Sequence, residues 1–111
     1  MPDETNGDDL VELLAALAHP IRMRIVATLA GGRDYVSHLA RVIGISRPLL
    51  HMHLARLEAA GLITGTHEIS DDGKAMRYVE LTGLDLHLTP AVIAAAAATL
   101  TVPQPDPVPK E

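Results

Sequence analysis

A mainly α fold with a small β-hairpin, a winged helix-turn-helix of order α-α-α-α-β-β-α, is what this sequence predicts, and three observations carry the expectation. Two tyrosines are the only aromatics among 111 residues, so Leu, Ile, Val, Ala and Met must build the core. Alanine and leucine favour helix over strand. Through residues 8–61 apolar positions recur at the i, i+3, i+4, i+7 spacing of a helix face. Beyond Gly61 that spacing gives way to two β-prone runs around an Asp-Gly turn.

Taken in order, residues 1–7 are polar and expected to be disordered, a folded domain follows over 8–101, and residues 102–111 form an extended tail with proline at every other position from 103 to 109. Asp8 or Asp9 is the expected N-cap of a first helix, whose Leu10, Leu13, Leu14 and Leu17 make one apolar stripe. Pro20 suits the first turn of a second helix, with Ile21, Ile25, Val26 and Leu29 inward and Arg22 and Arg24 outward. Gly31-Gly32 ends it. A short third helix fits residues 35–43, with Val36, Leu39, Ala40 and Ile43 inside and Gly44 closing it. Ser46 caps a fourth, with Pro48 in its first turn and Leu50, Leu54 and Leu57 as its spine. Two such helices joined by Gly44-Ile45-Ser46 have the form of a helix-turn-helix. Strands are expected over residues 62–69 and 76–81, and a last helix from Ala91 to about Leu100 behind Thr89-Pro90.

That last helix has no charged residue and almost no polar face. A helix apolar all round must be buried on more than one side, and a domain this small has little to bury it with. A second copy of the chain is the economical cover. Leu10, Leu13, Leu14 and Leu17 of the first helix, with Val92, Ile93, Ala96 and Leu100 of the last, are the expected interface of a homodimer.

The formal charge of −5 argues at first against a polyanionic partner, but its distribution reverses that impression. Residues 1–18 carry Asp3, Glu4, Asp8, Asp9 and Glu12 and no positive charge. Residues 19–61 carry six arginines against Asp34 and Glu58, a local balance of +4. A polyanion responds to the local patch. With no cysteine, disulfide and thiolate chemistry are excluded. No apolar run approaches the roughly 18 residues that span a bilayer. The acidic start lacks the layout of a signal peptide, so a cytoplasmic, nucleoid-associated protein with no membrane partner is expected.

Candidate site residues concentrate in the fourth helix. His51 and His53 stand two apart, hence about 200° apart around a helix, and cannot clamp one ion. Arg47 and His51 project away from the leucine spine, as residues do that face a DNA major groove. His53 borders the core or reaches a phosphate. Ser46, Arg47, Leu49, His51 and Arg56 are the candidate DNA-binding residues, joined by Lys74 and Arg77 on the wing. Asp34, Ser37 and His38 spell a triad, but adjacent helical residues diverge by about 100°, and no nucleotide or hydrolase fingerprint occurs. Neither an enzyme nor a cofactor is expected.

"LAHPIRMRIVATLAGG", then "HLARVIGISRPLLHMHLARLEAAGLI" and the Asp-Gly wing, resemble the ArsR-type (ArsR/SmtB-like) winged helix-turn-helix regulators over about residues 10–100. The resemblance implies a homodimer that binds an operator in double-stranded DNA and releases it when an effector binds. It does not extend to the family's metal motifs. Tyr35-Val36-Ser37-His38-Leu39-Ala40 stands where many members carry a Cys-Val-Cys pair, and Asp85-Leu86-His87 is followed by Ala98 and Thr101 where others place a second ligand pair. No metal site is expected. The expected function is transcriptional regulation, more specifically repression, from an inverted-repeat operator. The alternative is a winged-helix module that holds a protein partner. Nothing in the residues names the operator, the effector, or activation over repression.

Overall fold

The elements can be followed along the chain in the computed structural model, which describes residues 6–101. α1 (Gly7–Leu17) is capped by Asn6, whose side chain accepts the N–H of Asp9 at 2.8 Å. The expected caps Asp8 and Asp9 lie instead in the first turn, where carboxylates face the positive end of the helix dipole. Gly7, placed by sequence in the N-terminal tail, is helical and buried. The rest of that tail (residues 1–5), and the proline-rich stretch from 102 onward, lie outside the described residues.

α2 (Pro20–Leu29) starts behind an imidazole cap: Nδ1 of His19 accepts the N–H of Ile21 at 3.1 Å. Arg22, expected outside, turns back instead, and its Nε donates to the carbonyl of Ala16 at 2.6 Å. It thereby satisfies one of the carbonyls left open at the end of α1. β1 (Asp34–Tyr35) was not foreseen and takes Tyr35 from the start of the third helix, leaving α3 as Val36–Ile43. Gly44 ends α3 with φ +84°, the left-handed conformation that glycine adopts without penalty. Ser46 then caps α4 (Arg47–Ala59), its Oγ accepting from the N–H of Leu49 at 3.3 Å.

β2 (Ile63–Ile69) and β3 (Ala75–Leu81) form the wing, in antiparallel register from Ile63 opposite Leu81 to Ile69 opposite Ala75. β1 adds to the far edge of β3, with Asp34 opposite Val79 and Tyr35 opposite Tyr78, giving the sheet order β1-β3-β2. The two-stranded wing expected from sequence is thus three-stranded, and its third strand stitches the start of α3 to the base of the hairpin. α5 (Pro90–Ala97), capped by Thr89, stops short of the expected Leu100.

Ile25, Leu39, Leu50, Leu54, Leu57, Leu62 and Val79 are the fully buried large side chains. They come from α2, α3, α4, the entry to β2, and β3, so the core sits beneath the helix-turn-helix and holds α4 along its whole inner side. Each such side chain contributes roughly 1.5–3 kcal/mol on burial. α5 does not join this cluster. It crosses the start of α1, where Gly7 and Ala96 are both buried, Thr99 accepts the N–H of Gly7 at 2.6 Å, and Thr101 bonds to Asp8.

Candidate DNA-binding face

α4 buries Leu50, His53, Leu54 and Leu57. At about 100° per residue, the line opposite that side runs through Pro48, Met52, Ala55 and Ala59, and all four are exposed. Arg47 and His51 stand on one flank of this line, towards the wing. With Tyr35, Ser37, Met76 and Arg77 they line a shallow groove of about 180 Å³ between α3, α4 and β3. Leu49 and Arg56 stand on the other flank, both half-buried. Ser46 remains at the exposed helix start as its cap. Sequence reading singled out both flanks and passed over the middle of the face. The exposed positions of "SRPLLHMHLARLEA" at 48, 52, 55 and 59 carried that signal.

Arg24, Arg41, Arg47 and Lys74 are exposed, and none forms an ion pair with another described residue. The other cations of the region are committed within the chain. Arg77, expected to extend from the wing, bonds to Glu58 of α4, and its second terminal nitrogen is 3.4 Å from Nδ1 of His51. Gly65 on the neighbouring strand makes room for it, since a Cβ there would lie 3.1 Å from the guanidinium. Arg77 therefore ties the wing to α4. Arg56 reaches Glu12 of α1 at 3.5 Å, an exposed pair of the kind worth at most about 1 kcal/mol. Arg33 pairs with Glu68 and lies 4.1 Å over the ring of Tyr78. The guanidinium holds the Glu68 carboxyl below its ordinary range.

Lys74 shares the wing tip with Asp71 and Asp72. The hydroxyl of Ser70, and then the N–H of Lys74, hold the Asp72 carboxyl below the usual carboxylate range. The tip therefore keeps its negative charge.

His53 lies on the core side of α4, with only 3% of its surface exposed, and has no path to a phosphate. Its ring is 4.6 Å from that of His19, and Arg22 approaches its Nδ1 at 3.4 Å. A guanidinium only donates, so Nδ1 accepts and the ring proton is on Nε2. Burial first, then the neighbouring His19 and Arg22, push the His53 pKa below its ordinary value. His38 of α3 donates from Nδ1 to Asp34 at 2.6 Å, while Ser37 lines the groove beside Arg47, so Asp34 and His38 pair and the serine stands apart from them. Asp85 and His87 are exposed, 3.3 Å apart, and no cluster of three or more metal-ligating side chains occurs among the described residues.

A helix-turn-helix domain model matches residues 17–66, which hold α2, α3, α4 and the start of the wing. The transcriptional repressor SmtB of Mycobacterium tuberculosis is 36% identical over 86 residues, covering 78% of this chain and 58% of that protein. The transcriptional regulator CmtR of Mycobacterium bovis is 33% identical over 99 residues, covering 89% of this chain and 78% of that one. The chain belongs to the ArsR/SmtB-type winged helix-turn-helix regulators. It spans just over half the length of some of its curated relatives, SmtB among them. In three dimensions this ArsR/SmtB-type chain superposes on HlyU from Vibrio cholerae with a TM-score of 0.62 at 25% identity, covering 86% of this chain and 91% of HlyU. The resemblance read from the sequence is thus met by the fold and by relatives that run through wing and α5. The family is one of transcriptional regulators, not of enzymes.

Proposed function

We propose that this chain is a DNA-binding transcriptional repressor that recognises an inverted-repeat operator as a homodimer, working in the cytoplasm on the nucleoid. One observation carries the reading. Arg47 stands exposed and unpaired among the described residues, on the wing-side flank of the first turn of a capped helix that Leu50, Leu54 and Leu57 lock into the core. A rigid helix with an arginine at its N-terminal end is the geometry that enters a major groove and makes paired bonds to guanine. The helix N-terminus itself favours phosphate. Among the other residues named from sequence, Ser46, Leu49 and His51 lie around the same helix start, Arg56 can exchange Glu12 for a phosphate, and Lys74, unpaired among the described residues, can approach the backbone from the wing. Arg77 acts by holding the wing against α4.

A dimer is supported by what α1 and α5 leave uncovered. Leu10, Leu13 and Ala96 are already buried inside the chain and Leu17 packs on its core. The remaining apolar surface is Val11 and Leu14 of α1, Val92 and Ile93 of α5, and Leu100 just beyond α5, each exposed by 38–56%, where the two helices pack together. A two-fold axis through that surface would give a dimer with two symmetry-related α4 helices, which matches an inverted repeat with half-sites about one helical turn apart. The test is selection of bound genomic fragments by the purified chain, followed by binding of Arg47→Ala to the selected duplex. A loss of roughly 5- to 150-fold, equivalent to 1–3 kcal/mol, is expected; unchanged binding removes α4 as the reading helix. Capture of a protein with no shift of any duplex favours the interaction-module reading instead.

A further inference from the structure

The middle of the α4 face holds no polar side chain: Pro48, Met52, Ala55 and Ala59 are exposed in line, and Met52 leaves 61% of its surface uncovered. Hydrogen-bonding side chains stand only on the flanks, Arg47 and His51 towards the wing and Arg56, engaged with Glu12, on the other side. If α4 lies in a major groove, as proposed above, the side chain closest to the groove floor past its first turn is a methionine between small neighbours. It has nothing to donate, and it presents a flexible apolar chain ending in a polarisable thioether. The major groove offers one apolar recognition element, the C5 methyl of thymine; every other base edge there presents a donor or an acceptor. Placing Met52 against guanine or cytosine would strip water from those groups with no replacement partner, at a cost. Placing it against thymine methyls buries apolar surface on both sides.

We propose that Met52 is a specificity-determining residue that reads thymine methyl groups in the operator half-site. The juxtaposition behind this is Met52 on the outward midline of α4, flanked by Pro48 and Ala55, with Arg47 one turn nearer the helix start. Arg47 then fixes a guanine near the helix entry, and one or two thymines lie a few base pairs further along the same half-site. The stripe's occupant is DNA and not a protein because its flank carries Arg47, a cation unpaired among the described residues, beside the groove that Arg47 and His51 line.

The inference rests on operator binding through α4, and uracil substitution separates the two. In the selected operator, each thymine of one half-site is replaced in turn by deoxyuridine, which removes the methyl and leaves base pairing intact. Wild-type chain, Met52→Ala and Met52→Leu are titrated against each duplex, with helix content checked by circular dichroism. The expected result is a 3- to 10-fold loss for wild type at one or two positions and a similar loss for Met52→Ala on the unmodified operator. Met52→Ala then loses nothing further at those positions, and Met52→Leu keeps the preference for thymine. Uracil substitution that costs nothing, or costs wild type and Met52→Ala equally, overturns the assignment while leaving operator binding intact. Equal weakening of Met52→Ala on every duplex, or an operator with no thymine in the half-site, overturns it as well. A wild-type chain that binds no selected duplex removes the function itself.

Discussion

Arg47 and His53 sit six residues apart on one helix and meet opposite fates, and helical geometry alone tells them apart. Six steps of about 100° leave them on different sides of α4, and the leucines decide which side is inside. That much was legible from sequence, as were Gly44, the Ser46 cap and the spine. What sequence could not give was the partner of a long side chain. Arg22 and Arg77 read as outward cations, yet one closes the end of α1 and the other ties β3 to Glu58, through partners 6 and 19 positions away.

The buried His53 carries a prediction of its own. Its folded pKa is depressed, so the unfolded chain binds the extra proton first as pH falls. Its contribution to stability is therefore complete above the unfolded value near 6.5 and is lost progressively below it, as the folded pKa is approached. Thermal unfolding followed from pH 8 to pH 5 should show the midpoint falling below about pH 6.5, with a shallower fall in His53→Leu. Parallel slopes in the two proteins would show that His53 does not set the dependence. Gly7 is constrained by space: a Cβ there would lie 2.7 Å from Leu100 and nearer still to the carbonyl of Ala96. Gly7→Ala should therefore lower stability by about 1–3 kcal/mol, as overpacking does, read by urea unfolding.

At the scale of elements, the wing is where sequence pattern and structure part company. The hairpin was legible because an Asp-Gly turn stood between two β-prone runs. β1 was not, since two residues carry no periodicity and take their strand geometry only from pairing with β3. α5 was overextended because alanines continue the helical pattern to Ala98, while Thr99 and Thr101 instead turn their side chains back onto α1. The wing also carries a prediction about charge. Asp71 and Asp72 stand at its tip, and Asp72 stays ionised through Ser70 and the N–H of Lys74. The Asp71→Asn, Asp72→Asn double variant should bind the operator a few-fold more tightly at low salt, with a steeper salt dependence, because the repulsion it removes is electrostatic. Unchanged affinity across the salt series would show that the tip does not approach the phosphate backbone.

At the scale of the whole molecule, the charge that counts is local. A chain of net charge −5 turns exposed arginines outward along α2, α3 and α4, while several of its acidic residues are spent on Arg33, Arg56 and Arg77. Much of its exposed apolar surface is likewise local, gathered on and beside α1 and α5, where Val92 and Ile93 face outward. α1 covers one side of α5 from within the chain, through Ala96, and the proposed dimer covers the rest. Ile93→Glu should yield a monomer by light scattering and bind the operator at least tenfold more weakly, because half of the reading surface is lost. A dimer that persists unchanged would place the interface elsewhere.

Whether two copies read an inverted repeat through α4 is decided by titrating a selected operator duplex with wild-type chain and counting subunits in the complex. Two chains per duplex are expected, with affinity that falls steeply as salt rises and at least tenfold weaker binding to a duplex of the same composition in scrambled order. One chain per duplex, or equal affinity for the scrambled sequence, would contradict that reading.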